Sequence, residues 1–129
     1  MIELSTIAVE QVAAPPLAPV EQAIDLAHFS RMTLGERSLE REILQLFDRQ
    51  CELLLARMRQ CAPSAASSFA HTLKGSSRSI GAWRMGHAAE AVELAAATGN
   101  AAEVKAAVEC LGQAADEVRL VIAELLRAH

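Results

Sequence analysis

Through four successive stretches of this chain, apolar side chains recur at three- and four-residue steps, and glycine or proline parts each stretch from the next. At about 100° per residue such spacing gathers apolar groups on one helical face, which only other helices of the same kind can cover. Leu39, Ile43, Leu46, Phe47, Cys51, Leu54 and Met58 mark a helix from Glu36 to about Gln60. Ala62, Ala66, Phe69, Leu73 and Ile80 mark a second, with Pro63 suited to its first turn and Gly81 ending it. The third, Trp83 to Thr98, turns Met85, Ala89, Val92 and Ala96 inward and stops at Gly99-Asn100. The fourth runs from Ala101 to about Arg127, with Val104, Val108, Leu111, Ala115, Val118, Ile122 and Leu125 at near-heptad spacing. Upstream, Asp25 suits the N-cap of a short helix from Leu26 to about Thr33, stopped at Gly35. The expected fold is all-α, an antiparallel up-down four-helix bundle with a short extra N-terminal helix capping one end. Residues 1–20 are apolar but aperiodic and carry Pro15, Pro16 and Pro19, so a leader or linker is expected there, ahead of a domain at residues 21–129.

Composition narrows the function. A length of 129 residues suits one domain with a real core, and 3% aromatic content favours closely packed helices over a β-sandwich. A net charge of −4 argues against nucleic acid as a partner, because phosphate backbones select basic faces. Cys51, Cys61 and Cys110 form no C-x-x-C pair and read as small hydrophobes in a reducing compartment. The first basic residue is Arg31, so no signal peptide has its positive flank. No uncharged apolar run approaches about eighteen residues, the length a membrane span requires. A cytoplasmic protein that does not engage membranes is expected.

The second helix carries the chemistry. His71 points almost diametrically away from its apolar stripe, toward solvent. Lys74 and Gly75, three and four positions on, share its side of the helix, and Arg78 lies nearly in line with it. A glycine in an exposed helix interior costs about 1 kcal/mol relative to alanine. Nothing in the fold requires that cost at Gly75, whereas close approach of a partner would. An unperturbed imidazole titrates near about pH 6.5 and is a nucleophile when neutral, able to take a phosphoryl group as a phosphoramidate. The adduct carries roughly two negative charges, which Lys74 and Arg78 are placed to offset.

Ala70-His71-x-Leu73-Lys74-Gly75-Ser76-Ser77, then Ile80-Gly81-Ala82, then Glu93 twenty-two residues past the histidine, resemble the histidine-containing phosphotransfer (HPt) domains of two-component phosphorelays. Leu44-Gln45-Leu46-Phe47 resembles the preceding helix of that family, and the resemblance spans roughly residues 22 to 127. It implies that Nε2 of His71 accepts a phosphoryl group from a receiver-domain aspartate, or from a histidine kinase, and passes it to another response-regulator receiver. The receiver would supply the aspartate, the magnesium and most catalytic groups. By position, Lys74 is similar to the family's charge-stabilising basic residue and Gly75 to the small residue that admits the receiver. Gly81 looks like the glycine that turns the chain into the next helix, and Glu93 matches a position that orients the histidine ring. Arg78 departs from the small or polar residue commoner there, and two roles fit it, partner choice or phosphate contact.

Helical projection gathers Ser64, Ser67 and Ser68 with Gly75 around His71 as the expected docking face, joined by neighbouring parts of the Glu36–Gln60 helix. Ser76 and Ser77 fall toward the core, where hydroxyls bonding back to the helix are expected. The chain has no G-x-x-x-x-G-K-[ST] loop, no kinase-type glycine loop and no acidic pair to hold magnesium, so it is expected to be a phosphocarrier and not an enzyme. No Cys/His spacing suggests zinc at His28, His87 or His129, and neither metal nor cofactor is expected. A stand-alone, monomeric phosphotransfer protein is the expectation. The alternative is a non-transferring bundle that binds and inhibits a receiver or histidine kinase.

Overall fold

The structure is a computed structural model that describes residues 22–128; the leader expected over residues 1–20 lies outside them. Five α-helices are present among the described residues: α1 Leu26–Thr33, α2 Arg37–Gln60, α3 Ala66–Ile80, α4 Trp83–Thr98 and α5 Ala101–Ala128. Helix α2 packs on α3 and α5, α3 on α4, and α4 on α5, which closes a ring of four, with α1 laid across α3 and the start of α2. Cross-helix contacts fix an antiparallel register. Arg41 Nη1 donates to the Leu126 carbonyl at 3.0 Å, and further along α2 Asp48 accepts from Arg119 Nε at 2.8 Å. The four-helix bundle expected from the sequence is the fold observed.

Local chemistry explains the helix ends. The Asp25 side chain accepts the His28 N–H at 3.1 Å and caps α1. Helix α1 stops at two successive left-handed residues, Leu34 (φ 56) and Gly35 (φ 74), so the turn begins one residue before the expected glycine. Pro63 opens a 3-10 turn, Pro63–Ala65, and not α3 itself. At the other end of α3, Gly81 is left-handed (φ 84) and its N–H reaches the Arg78 carbonyl, while the Ala82 N–H reaches that of Ser77 at 2.8 Å.

The buried faces are rotated from the expected stripes in α2 and α3. In α2 the core residues are Glu40, Leu44, Phe47, Cys51, Leu55 and Met58, while Leu39 and Leu46 are exposed and Ile43 and Leu54 half-buried. Leucines cover so much of this helix that several faces look apolar, and only packing selects one. In α3 the core face is Ala66, Ala70, Leu73, Ser77 and Ile80; Phe69 is half-buried and Ala62 lies outside the helix, exposed. Small side chains, Ala66 and Ala70 on α3 with Ala89 and Ala96 on α4, are buried along these two helices and let them approach closely. The inward residues expected of α4 are buried, and those of α5 are buried except the half-buried Leu125.

Polar groups inside the bundle are few. The Thr33 hydroxyl donates to Glu40 Oε2 at 2.7 Å, joining the end of α1 to the start of α2. Ser77 is fully buried and its hydroxyl has no hydrogen-bond partner, so the expected bond back to the helix is missing there. Burial pushes the Cys51 thiol up to about 12, and it packs as a hydrophobe. Cys110, by contrast, is exposed, because its position on α5 faces away from the buried stripe.

Gly81 and Gly75 should respond oppositely to alanine. A Cβ at Gly81 would stand 2.8 Å from the Asp25 carbonyl oxygen, in a backbone conformation that alanine disfavours. Gly81→Ala is therefore expected to lower stability by about 2–3 kcal/mol. A Cβ at Gly75 meets nothing within 4 Å, and Gly75→Ala should raise stability by up to about 1 kcal/mol. Urea denaturation of both variants checks this, and equal shifts of the same sign would contradict it.

Candidate functional site

The two-residue connection Gly81–Ala82 brings α4 back directly alongside α3, so Glu93, twenty-two residues after His71, comes level with it. Glu93 Oε2 lies 2.8 Å from His71 Nδ1. Its other oxygen, Oε1, lies 2.6 Å from Lys74 Nζ and is closed off from solvent. One carboxylate thus holds both the imidazole and the ammonium. The side chains of Lys74 and Glu93 are only 18% and 19% exposed, whereas that of His71 is 72% exposed. Imidazole is the part of this triad open to solvent.

Lys74 foremost, and then His71, hold the Glu93 carboxyl below its ordinary value of 4.5, against the opposing effect of burial. When His71 is neutral, a charged Glu93 can only accept, so Nδ1 carries the ring proton and the lone pair is left on Nε2. Both helices matter here. His71 and Lys74 are one turn apart on α3, and the carboxylate between them comes from α4.

Ser64, Ser67 and Ser68 line one open cleft with His71, Thr72 and Glu93. Gly75 is exposed, with open space where its side chain would be. Arg78 is placed differently from the expected cation beside His71. Its Nη2 lies 3.5 Å from Glu90 Oε1 on α4, and both side chains are about half exposed, 46% and 45%. On the other flank of α3, Ile43, Leu46 and Gln50 of α2 form a shallow groove with Ser76 and Ser79.

Sequence reasoning missed Glu90 and the groove. Glu90 precedes Glu93 by three positions, so the two share a face of α4, a signal that gains meaning only once α3 is known to run alongside. The groove depends on Leu46 being exposed, which the misphased α2 stripe concealed. His87 is exposed, and among the described residues no group of three His, Cys, Asp or Glu side chains is arranged to hold a metal. No helix of the described residues is long and apolar enough to cross a membrane.

Comparison with known proteins finds one family. The model of the Hpt domain matches residues 41–128. No curated protein and no solved structure matches the chain at a significant level.

Because the folded carboxyl of Glu93 lies below its ordinary value of 4.5, the pair's contribution to stability is complete above that pH and fades as pH falls through the folded value. Unfolding measured across this range should show a smaller acid loss in Glu93→Ala than in the wild type. Long-range proton–nitrogen NMR at neutral pH should find neutral His71 as the Nδ1–H tautomer, with Glu93→Ala moving it toward Nε2–H. An unchanged tautomer in the variant would contradict the positioning role.

Proposed function

We propose, because this chain belongs to the Hpt domain family, that His71 is the phosphoryl-carrying residue of a phosphorelay. That family transfers phosphoryl groups in two-component signalling and interacts with receiver domains and kinases. The observation that carries the assignment is an imidazole 72% exposed whose Nδ1 is tied to a carboxylate at 2.8 Å, leaving Nε2 toward solvent.

The reaction runs on few groups. Nε2 attacks the phosphorus of a receiver's aspartyl phosphate, the N–P bond forms, and the P–O bond to the aspartate breaks, its electron pair leaving on the carboxylate. The ring becomes more positive as the N–P bond forms, and Glu93 beside Nδ1 offsets that charge while the Nδ1 proton stays in place. Lys74, about 4.5 Å along the helix axis from His71, is the cation for the phosphoryl oxygens. Reversal of the same step onto another receiver completes the relay. The chain acts as a carrier, in the cytoplasm and as a monomer during transfer, and draws magnesium and the aspartate from its partner.

Docking uses the exposed side of α3. Gly75 admits the partner's surface one turn from His71, the serines line the cleft on one side, and the Leu46 groove extends the face onto α2. Exposed leucines Leu39, Leu46 and Leu53, seven residues apart, give that flank of α2 an apolar character that a partner would cover.

Incubation with a phosphorylated receiver should label wild type with an acid-labile, alkali-stable group and leave His71→Gln unlabelled, with the variant's melting temperature unchanged. Label retained in His71→Gln would overturn the assignment. Lys74→Ala should slow transfer and flatten its salt dependence, since such contacts are screened over a Debye length of about 8 Å at physiological ionic strength. Gly75→Gln should weaken receiver binding in a titration without loss of fold; equal affinity in wild type and variant would show that the docking face lies elsewhere.

A further inference from the structure

Arg78 lies on the histidine's face of α3, yet its surroundings belong to α4. Seven residues at about 1.5 Å each put it roughly 10 Å from His71 along the axis, against about 4.5 Å for Lys74. Its stem lies over Gly86, where a Cβ would be 3.3 Å from Arg78 Cγ and 3.6 Å from Nε. Its guanidinium continues sideways to Glu90 at 3.5 Å. Glycine at position 86 therefore makes a seat on α4, and Glu90 holds the charged end of what lies in it. The seat directs the guanidinium across the α3–α4 seam onto α4, where Glu90 and not the His71–Glu93 pair receives it.

The two cations on this face are in different states. Lys74 is mostly covered, and its carboxylate is the one that also holds the imidazole. Arg78 is half exposed, and its carboxylate is half exposed too, at a separation longer than a tight charge-assisted contact of about 2.7–2.9 Å. A loose, solvated pair of that kind holds a side chain in place without satisfying it, and it can be exchanged for a better-placed carboxylate at little cost.

Resting on the phosphotransfer reading above, we infer that Arg78 is a specificity-determining residue that binds a carboxylate on the docked receiver, with Gly86 and Glu90 as its seat and resting counter-charge. The phosphoryl group is served by Lys74 alone. On docking, the guanidinium leaves Glu90 for the receiver's acidic side chain, on the α4 side of the contact and apart from the reacting nitrogen. Receivers with an acidic group at that point are favoured, and those with a basic one are repelled.

Two assays on the full chain separate the roles. Phosphoramidate, a small donor that needs no docking surface, labels His71 directly, and the decay of that label reports phosphoryl stabilisation. Transfer from the labelled protein to a panel of receiver domains reports docking. Arg78→Ala should leave labelling rate and label lifetime unchanged, while raising the KM for the preferred receiver about two- to fivefold, the range an exposed pair allows. Glu90→Gln, which removes the competing carboxylate, should shift KM in the opposite direction. Arg78→Glu should reorder the panel, and an Asp/Glu-to-Lys scan of the preferred receiver should yield one variant that restores transfer. Labelling or label lifetime impaired in Arg78→Ala as in Lys74→Ala would overturn the inference and assign Arg78 to the phosphoryl group. Unchanged KM values and panel order in Arg78→Ala and Arg78→Glu would overturn it as well. Failure of wild-type His71 to label in either assay, in a protein whose melt shows it folded, would instead remove the phosphotransfer reading and this one with it.

Discussion

A two-residue corner sets the distance between His71 and Glu93. Gly81 takes a left-handed conformation (φ 84) that closes α3 with two hydrogen bonds and releases the chain straight into α4. A longer connection would let α4 slide along α3, and a slide of one turn, about 5.4 Å, would carry Glu93 past the imidazole. The corner is also held from outside. The Asp25 N–H donates to the Gly81 carbonyl at 2.9 Å, Trp83 Nε1 donates to Asp25 Oδ2 at 3.1 Å, and the His28 ring stands edge-on to Trp83 at 4.8 Å. The short N-terminal helix thus clamps the turn that registers the site, which gives it a purpose beyond covering one end of the bundle.

From that register the electrostatics follow. One carboxylate on α4 meets one imidazole and one ammonium on α3, and the next acidic residue back along α4, Glu90, meets the next cation forward along α3, Arg78. The antiparallel arrangement makes this a ladder of two rungs. In the inner rung Lys74 and Glu93 are mostly covered and tie down an exposed imidazole; in the outer rung both side chains are about half exposed. Small residues between the helices, Ala70, Ala89 and Gly86, allow the close approach that both rungs need.

Sequence periodicity revealed most of the fold. Helices α1, α4 and α5 begin and end where caps and glycines place them, and the bundle follows from four amphipathic stretches with short links. Phase was harder to read. In α2, leucines on several faces made Leu39 and Leu46 look like core, while Leu44, Leu55 and the acidic Glu40 took those places. Glu40 escaped notice because its burial depends on the Thr33 hydroxyl of another helix. In α3, alanine and serine face the core in preference to Phe69, because closeness to α4 rewards small volume over apolar area. Within the site, His71, Lys74 and Gly75 could be gathered by projection along one helix. The shared carboxylate and the Gly86 seat could not, since both depend on how far α4 runs past α3.

The central claim is that Glu93 holds the Nδ1 proton so that Nε2 of His71 takes the phosphoryl group. It is tested most directly by phosphorus–nitrogen coupling in the NMR spectrum of the phosphorylated, nitrogen-15-labelled protein. Coupling of phosphorus to Nε2, with the Nδ1 proton still observed and protected by its hydrogen bond, is the predicted result. Coupling to Nδ1, or phosphorus on any residue other than His71, would contradict the account.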